Sequence, residues 1–308
     1  MKKRMMSLAM AGIMTVSLAG CGSKPAETTA VAAEAATEAA TEADKAEQTK
    51  AEEEKAEDTK AADAGDAKNA DAAGGTFIVG FDQDFPPMGF VGDDGEYTGF
   101  DLELAEEVAK RLGLEFVAQP IAWDAKDMEL NSGTIDCIWN GFTINGREDD
   151  YTWSEPYMDN SQVFVVTADS GISTFADLAG KIVEVQADSS AEAALKDNAE
   201  LSGSFGTLQI TPDYNTAFMD LEMGAVDAIA MDVIVAGYQL EQRGDSDKYV
   251  ILEEALASEE YGIGFKKGNE ELRDKVQSAL EEMAADDTLE AISLKWFGRD
   301  ITTIGKQN

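Results

Sequence analysis

There is no histidine in this chain of 308 residues. That removes Ser-His-Asp and Cys-His catalysis, and the usual zinc sites, because each needs an imidazole as base or ligand. Cysteine is nearly absent too, with Cys21 and Cys137 the only two. If Cys21 is modified, no disulfide can form within the chain. Cys137 sits in an apolar run and reads as a small buried hydrophobe. Basic residues are scarce, 24 Lys and Arg against 61 Asp and Glu, for a net charge of −37 at pH 7. Such a surface repels nucleic acid and anionic lipid, so no nucleic-acid partner is expected. An anionic ligand would have to find a local positive group. The apolar run from Met5 to Ala19 falls short of the roughly 20 residues that a membrane-spanning helix needs. No paired-carboxylate motif for acid–base catalysis stands out, no internal repeat is visible, and no cofactor or metal is implied.

What is present begins at the N-terminus. Lys2, Lys3 and Arg4 precede the apolar run, and Leu18, Ala19, Gly20 and Cys21 end it. A basic start, a short apolar segment and small residues before a cut site make a secretory signal. The ending resembles a bacterial lipobox, which implies cleavage before Cys21 and lipid on its thiol. The plain alternative is an ordinary signal peptide with an incidental cysteine. Ala, Glu, Thr, Lys and Asp dominate residues 23–74, a segment too polar to build a core and suited to a partly helical stalk. The expected division is a signal peptide over 1–20 and a lipid anchor with stalk over 21–75.

From Thr76 the texture changes to alternating strands and helices. Strands are expected over 76–81, 114–118, 135–139, 162–167, 181–186, 228–231, 249–252 and 261–265. A helix capped by Asp101 carries Leu104, Val108 and Leu112 on one stripe, with Gly113 as its stop. A second helix starts near Ser190, and 270–296 reads as one long helix. Alternating units of this kind argue for mostly parallel sheets covered by helices. The folded length suits two lobes better than one core.

One loop combines special chemistry. After the strand ending at Trp139 come Asn140, Gly141, Thr143 and Arg147. A glycine lets a ligand approach the backbone, and Arg grips a carboxylate with two parallel hydrogen bonds. The end of a strand is where open α/β sheets bind ligands. A lone Arg there is otherwise a surface ion pair.

Four segments in order then resemble one family. They are Gly99-Phe-Asp-Leu-Glu-Leu-Ala105, the loop from Gly141 to Arg147, Ser154-Glu-Pro-Tyr157, and Ala225-Val-Asp-Ala-Ile-Ala-Met-Asp232. Together they resemble the periplasmic-type amino-acid-binding proteins of ABC importers. That resemblance implies an α/β, two-lobe periplasmic-binding-protein fold, each lobe a mostly parallel sheet flanked by helices, joined by two crossing strands. Lobe 1 would be 76–164 plus 262–308 and lobe 2 would be 165–261, with crossings near 162–166 and 261–265.

The resemblance also implies roles. Arg147 would clamp an α-carboxylate, helped by Thr143, by the backbone of Gly141 beside Asn140, and by Ser189 and Ser190 at a helix start. Asp232 would take the α-ammonium. Phe85 and Trp123 would sandwich the aliphatic part, and Asp82 would meet the side-chain end. The plain alternatives are core packing for Phe85 and Trp123, capping for Ser189 and Ser190, and a turn for Asp82. Trp139 reads as packing. Two departures stand out. The Thr143-to-Arg147 spacing is one residue short of the family's usual one. Asp188 stands where many members have glycine, and is expected to point outward or cap the helix.

The implied function is capture of a polar neutral or basic amino acid, without chemistry, for delivery to a membrane permease. The protein would be a monomer held by lipid on Cys21 at the outer face of the cytoplasmic membrane. The alternatives are a dehydratase-like enzyme of the same fold, or an amino-acid sensor or adhesin.

Overall fold

The computed structural model describes residues 75–244 and 246–306. The expected signal peptide, Cys21 and the stalk up to residue 74 lie outside the described residues.

The first lobe opens with β1 (Thr76–Phe81), whose Phe77, Val79 and Phe81 alternate into the core. A small antiparallel ribbon of β2 (Asp84–Phe85), β3 (Gly89–Val91) and β4 (Tyr97–Thr98) follows. Next come α1 (Phe100–Leu112), β5 (Glu115–Pro120), α2 (Lys126–Ser132), β6 (Cys137–Thr143) and β7 (Thr152–Trp153). The chain leaves on β8 (Met158–Thr167). The second lobe holds β9 (Ile182–Gln186), α3 (Ser190–Asp197), α4 (Ala199–Ser202), β10 (Thr207–Thr211), α5 (Tyr214–Met223), β11 (Ala228–Asp232), α6 (Val233–Gln242) and β12 (Tyr249–Ile251). It returns on β13 (Ala257–Phe265) and ends with α7 (Glu270–Ala285) and α8 (Thr288–Phe297).

The main sheet runs β10-β9-β11-β8-β13-β6-β1-β5. Within each lobe three strands are parallel: β5, β1 and β6 in the first, β10, β9 and β11 in the second. The long strands β8 and β13 add antiparallel edges to both. They pair with each other from Met158 to Gln162 and from Ala257 to Tyr261. The crossing ribbon therefore begins a few residues ahead of the expected crossings. From Gln162 on, β8 is already paired with β11.

The Gly99 motif has a steric cause. A Cβ on Gly99 would lie 2.2 Å from the Met88 carbonyl oxygen, so only glycine fits. That close approach lets Phe100 and Asp101 donate backbone N–H groups to the carbonyls of Pro87 and Met88. The residue at the cap position is thus Gly99, and Asp101 lies in the first turn, fully buried. Instead of capping, Asp101 reaches the base of the site, accepting from the Gly141 N–H at 2.6 Å and the Tyr157 hydroxyl at 2.8 Å. Burial pushes its carboxyl up to about 7 even though both bonds favour the charged form. The last helix is also two helices, since Asp287 turns into the left-handed region at φ 65°. Among the described residues, no helix is long and apolar enough to cross a membrane.

Candidate ligand-binding site

A pocket lies between the lobes, with the crossing ribbon beneath it. Of the residues singled out in the sequence, Phe85, Trp123, Asn140, Gly141, Thr143, Arg147, Ser189, Ser190 and Asp232 line it, and Gln186 joins them. Asp82 does not. It faces an outer recess with Asp84, Asp124 and Asp213, which Trp123 also lines. Gln186 stands between Asp82 and the pocket, donating from Nε2 to Asp82 Oδ2 at 2.7 Å. Burial raises the Asp82 carboxyl to about 6.

The first lobe supplies one wall from the end of β6. Gly141 has φ 55°, and a Cβ there would press within 3.0 Å of the Phe85 ring and 3.1 Å of the Tyr261 ring. Only glycine turns the chain between those rings at low cost. Its N–H is already given to Asp101, so it is not a free donor to a ligand. Thr143 is buried and points into the pocket despite the short spacing to Arg147. The Arg147 guanidinium lies over Phe142, 5.4 Å from the ring centroid, and holds the carbonyls of Thr143 and Asp188, each at 3.3 Å. Among the described residues it forms no ion pair, and it is half-buried. Its charge stays open to an incoming carboxylate.

The second lobe supplies the facing wall from the ends of β9 and β11. Ser189 caps α3, accepting from the Glu192 N–H at 3.1 Å and donating to the Gln186 carbonyl at 2.8 Å. Its hydroxyl is therefore spent on the helix. The helix N-terminus it fixes still favours an anion. Ser190 Oγ accepts from Thr143 across the cleft at 3.1 Å and from Gln162 at 3.0 Å.

Asp188 does not line the pocket; its side chain is half-exposed and leaves the helix cap to Ser189. It has φ 56°, and its carboxylate pairs with Lys126 of the first lobe. Lys126 is 1% exposed and stacks over Trp123, so it needs a counter-charge. Burial lowers its ammonium below the usual lysine range, and Asp188 opposes that. The cation that the sequence did not reveal is thus already neutralised.

The ammonium end is deeper. Asp232, 3% exposed, accepts from Tyr261 Oη at 2.5 Å and from Asn160 Nδ2 at 2.7 Å. Burial first, and then the charge of Glu259, pushes its carboxyl well above the ordinary range. Phe85 lies close to Tyr214, centroids 6.0 Å apart, and Trp123 meets Phe142 edge-on. Both aromatic rings thus pack and line the pocket at once. Trp139 is fully buried as a packing residue.

Gln186, Lys126, Asn160, Gln162 and Glu259 escaped the sequence reading. A signal existed for some of them. Asn160 and Gln162, two apart on a strand, share a face, as do Glu259 and Tyr261. That pattern becomes legible only when the two strands are known to pair.

Comparison with known proteins gives consistent findings. Residues 77–299 match the profile of the bacterial extracellular solute-binding proteins, family 3. The L-cystine-binding protein TcyJ of Escherichia coli K12 is 37% identical over 231 residues, covering 74% of this chain and 85% of that protein. The arginine-binding extracellular protein ArtP of Bacillus subtilis 168 is 31% identical, covering 71% and 85%. Among solved structures, an ABC uptake transporter substrate-binding protein from Streptococcus pneumoniae with bound histidine aligns with a TM-score of 0.72 at 37% identity, covering 74% and 94%.

Proposed function

The chain belongs to the bacterial extracellular solute-binding proteins of family 3, and from that premise we propose that its cleft captures one free α-amino acid as a zwitterion. Arg147 and the N-terminus of α3 take the carboxylate, and Asp232 takes the ammonium. The observation that supports this most is the placement in one pocket of a buried carboxylate and a guanidinium that forms no ion pair among the described residues. The two lie on different lobes. A ligand bridging them favours the closed form by its differential affinity for closed over open.

The side chain is neutral polar or cationic. Lys126 is paired with Asp188, so no second cation awaits an acidic side chain. The outer recess is lined by carboxylates, Asp82 among them. The cystine-, arginine- and histidine-binding relatives suit this class. The role is capture without chemistry, for an ABC permease at the extracytoplasmic face. The protein acts as a monomer, held to the membrane by lipid on Cys21.

The test is thermal unfolding of the protein, refolded free of ligand, against the twenty amino acids singly. A ligand that binds only the folded state adds about 2.7 kcal/mol of stability at a hundredfold excess over its Kd. A shift with one or a few polar or basic amino acids is expected. No shift with any of them would overturn the ligand class.

A further inference from the structure

The crossing ribbon under the pocket carries a carboxylate that no binding motif includes. Glu259 stands opposite Asn160 in the pairing of β13 with β8. It is 6% exposed, and its Oε1 accepts from Asn160 Nδ2 at 2.6 Å and Gln162 Nε2 at 2.7 Å. Each amide also touches a pocket residue. Asn160 Nδ2 donates to Asp232 Oδ1, and Gln162 Nε2 donates to Ser190 Oγ, which accepts from Thr143 as well. One carboxylate thus orients the acceptor at one end of the pocket and the hydroxyls at the other. The cluster is short of donors. Asn160 Oδ1 and Gln162 Oε1 are buried without partners. An ammonium brings three N–H donors to a site with too few.

On the reading that Asp232 holds the ammonium, we infer that Glu259 is a positioning residue for that end, and that docking of the ligand expels a proton from Asp232. The ligand arrives as an ammonium and remains one. The O–H bond of the Asp232 carboxyl breaks, and the proton passes to buffer. Two buried carboxylates sharing one amide donor resist a second ionisation until a cation joins them. The titratable groups facing Asp232 are Glu259 and Tyr261 on β13 and Tyr214 on α5. Both phenols are pushed up by burial and stay protonated. Arg147 lines the same pocket from the other lobe.

Calorimetric titration in buffers of different ionisation enthalpy, near neutral pH, tests this. The titrant is the amino acid that gives the largest shift in thermal unfolding. The wild type is expected to release about one proton, so its Kd falls about tenfold per pH unit within the linked range. Glu259→Gln is expected to bind while releasing almost none, with a flatter pH profile, and Glu259→Asp to restore part of the release. Binding with no proton release by the wild type, or release by Glu259→Gln equal to it, overturns the inference and leaves the ammonium assignment standing. Wild-type affinity in Asp232→Asn overturns the assignment itself, and the inference with it.

Discussion

The two ends of the pocket hold a guanidinium and a carboxyl in opposite settings. At the carboxylate end, Arg147 is half-buried and, among the described residues, hydrogen-bonded only to carbonyl oxygens. At the ammonium end, Asp232 is buried, held by a phenol and an amide, and its charge is resisted by burial and by Glu259. One end is a fixed charge near solvent. The other is a titratable charge in a dry site. Equal and opposite groups should therefore answer differently to truncation, salt and pH.

The largest effect is expected from Asp232→Ala. It removes the acceptor from a site that cannot rehydrate, and should cost ligand binding near the top of the roughly 2–5 kcal/mol range for buried charged partners. Arg147→Ala should fall in the lower part of that range, because water can reach the vacated place. Calorimetry on both variants measures the gap, and equal losses would break the comparison. Salt sharpens it. Screening weakens exposed charges more than buried ones, so the Arg147 contribution should shrink more between low and physiological ionic strength.

A third expectation concerns the support under the carboxylate end. The Asp101 carboxyl is raised from 3.8 to about 7 in the folded protein. Between those values the folded state holds more protons than the unfolded one, so stability falls as pH rises through that window. Asp101 contributes at most about 1.4 kcal/mol per pH unit. Denaturant titrations at several pH values should show Asp101→Asn with a shallower fall than the wild type. Asp82 and Asp232 act in the same direction and leave a residual slope.

The smallest effect belongs to the lobe-to-lobe pair. Asp188→Gly relieves a left-handed backbone but leaves Lys126 without its partner. Asp188 is half-exposed and lies outside the pocket lining, so the change in affinity should stay within about 1 kcal/mol. A double-mutant cycle with Lys126→Met should then show coupling between the two residues, and strict additivity would mean the pair does not link the lobes.

Much of the fold and the pocket was legible in the sequence, for identifiable reasons. The alternation of elements follows from local patterns, and β1 and the start of α3 stand where the patterns place them. Gly141, Thr143 and Arg147 were visible because one short loop holds them. Asp101 was misread because its partners, Gly141 and Tyr157, are far away in the chain, while capping is a local rule. The long helix was misread at Asp286 and Asp287, where apolar periodicity continues on both sides of the break. Glu259 and Gln162 were hidden because their meaning depends on pairing between strands almost a hundred residues apart. Lys126 and Asp188 stand 62 residues apart in the chain, and no pattern in either segment announces the other.

The central claim is that one zwitterion bridges Arg147 and Asp232. Its most direct test compares three compounds by calorimetry: the amino acid that binds, its carboxamide, and its analogue with hydrogen in place of the α-ammonium. The account predicts a large loss for both altered compounds, greater for the one lacking the ammonium. Wild-type affinity for either would contradict it.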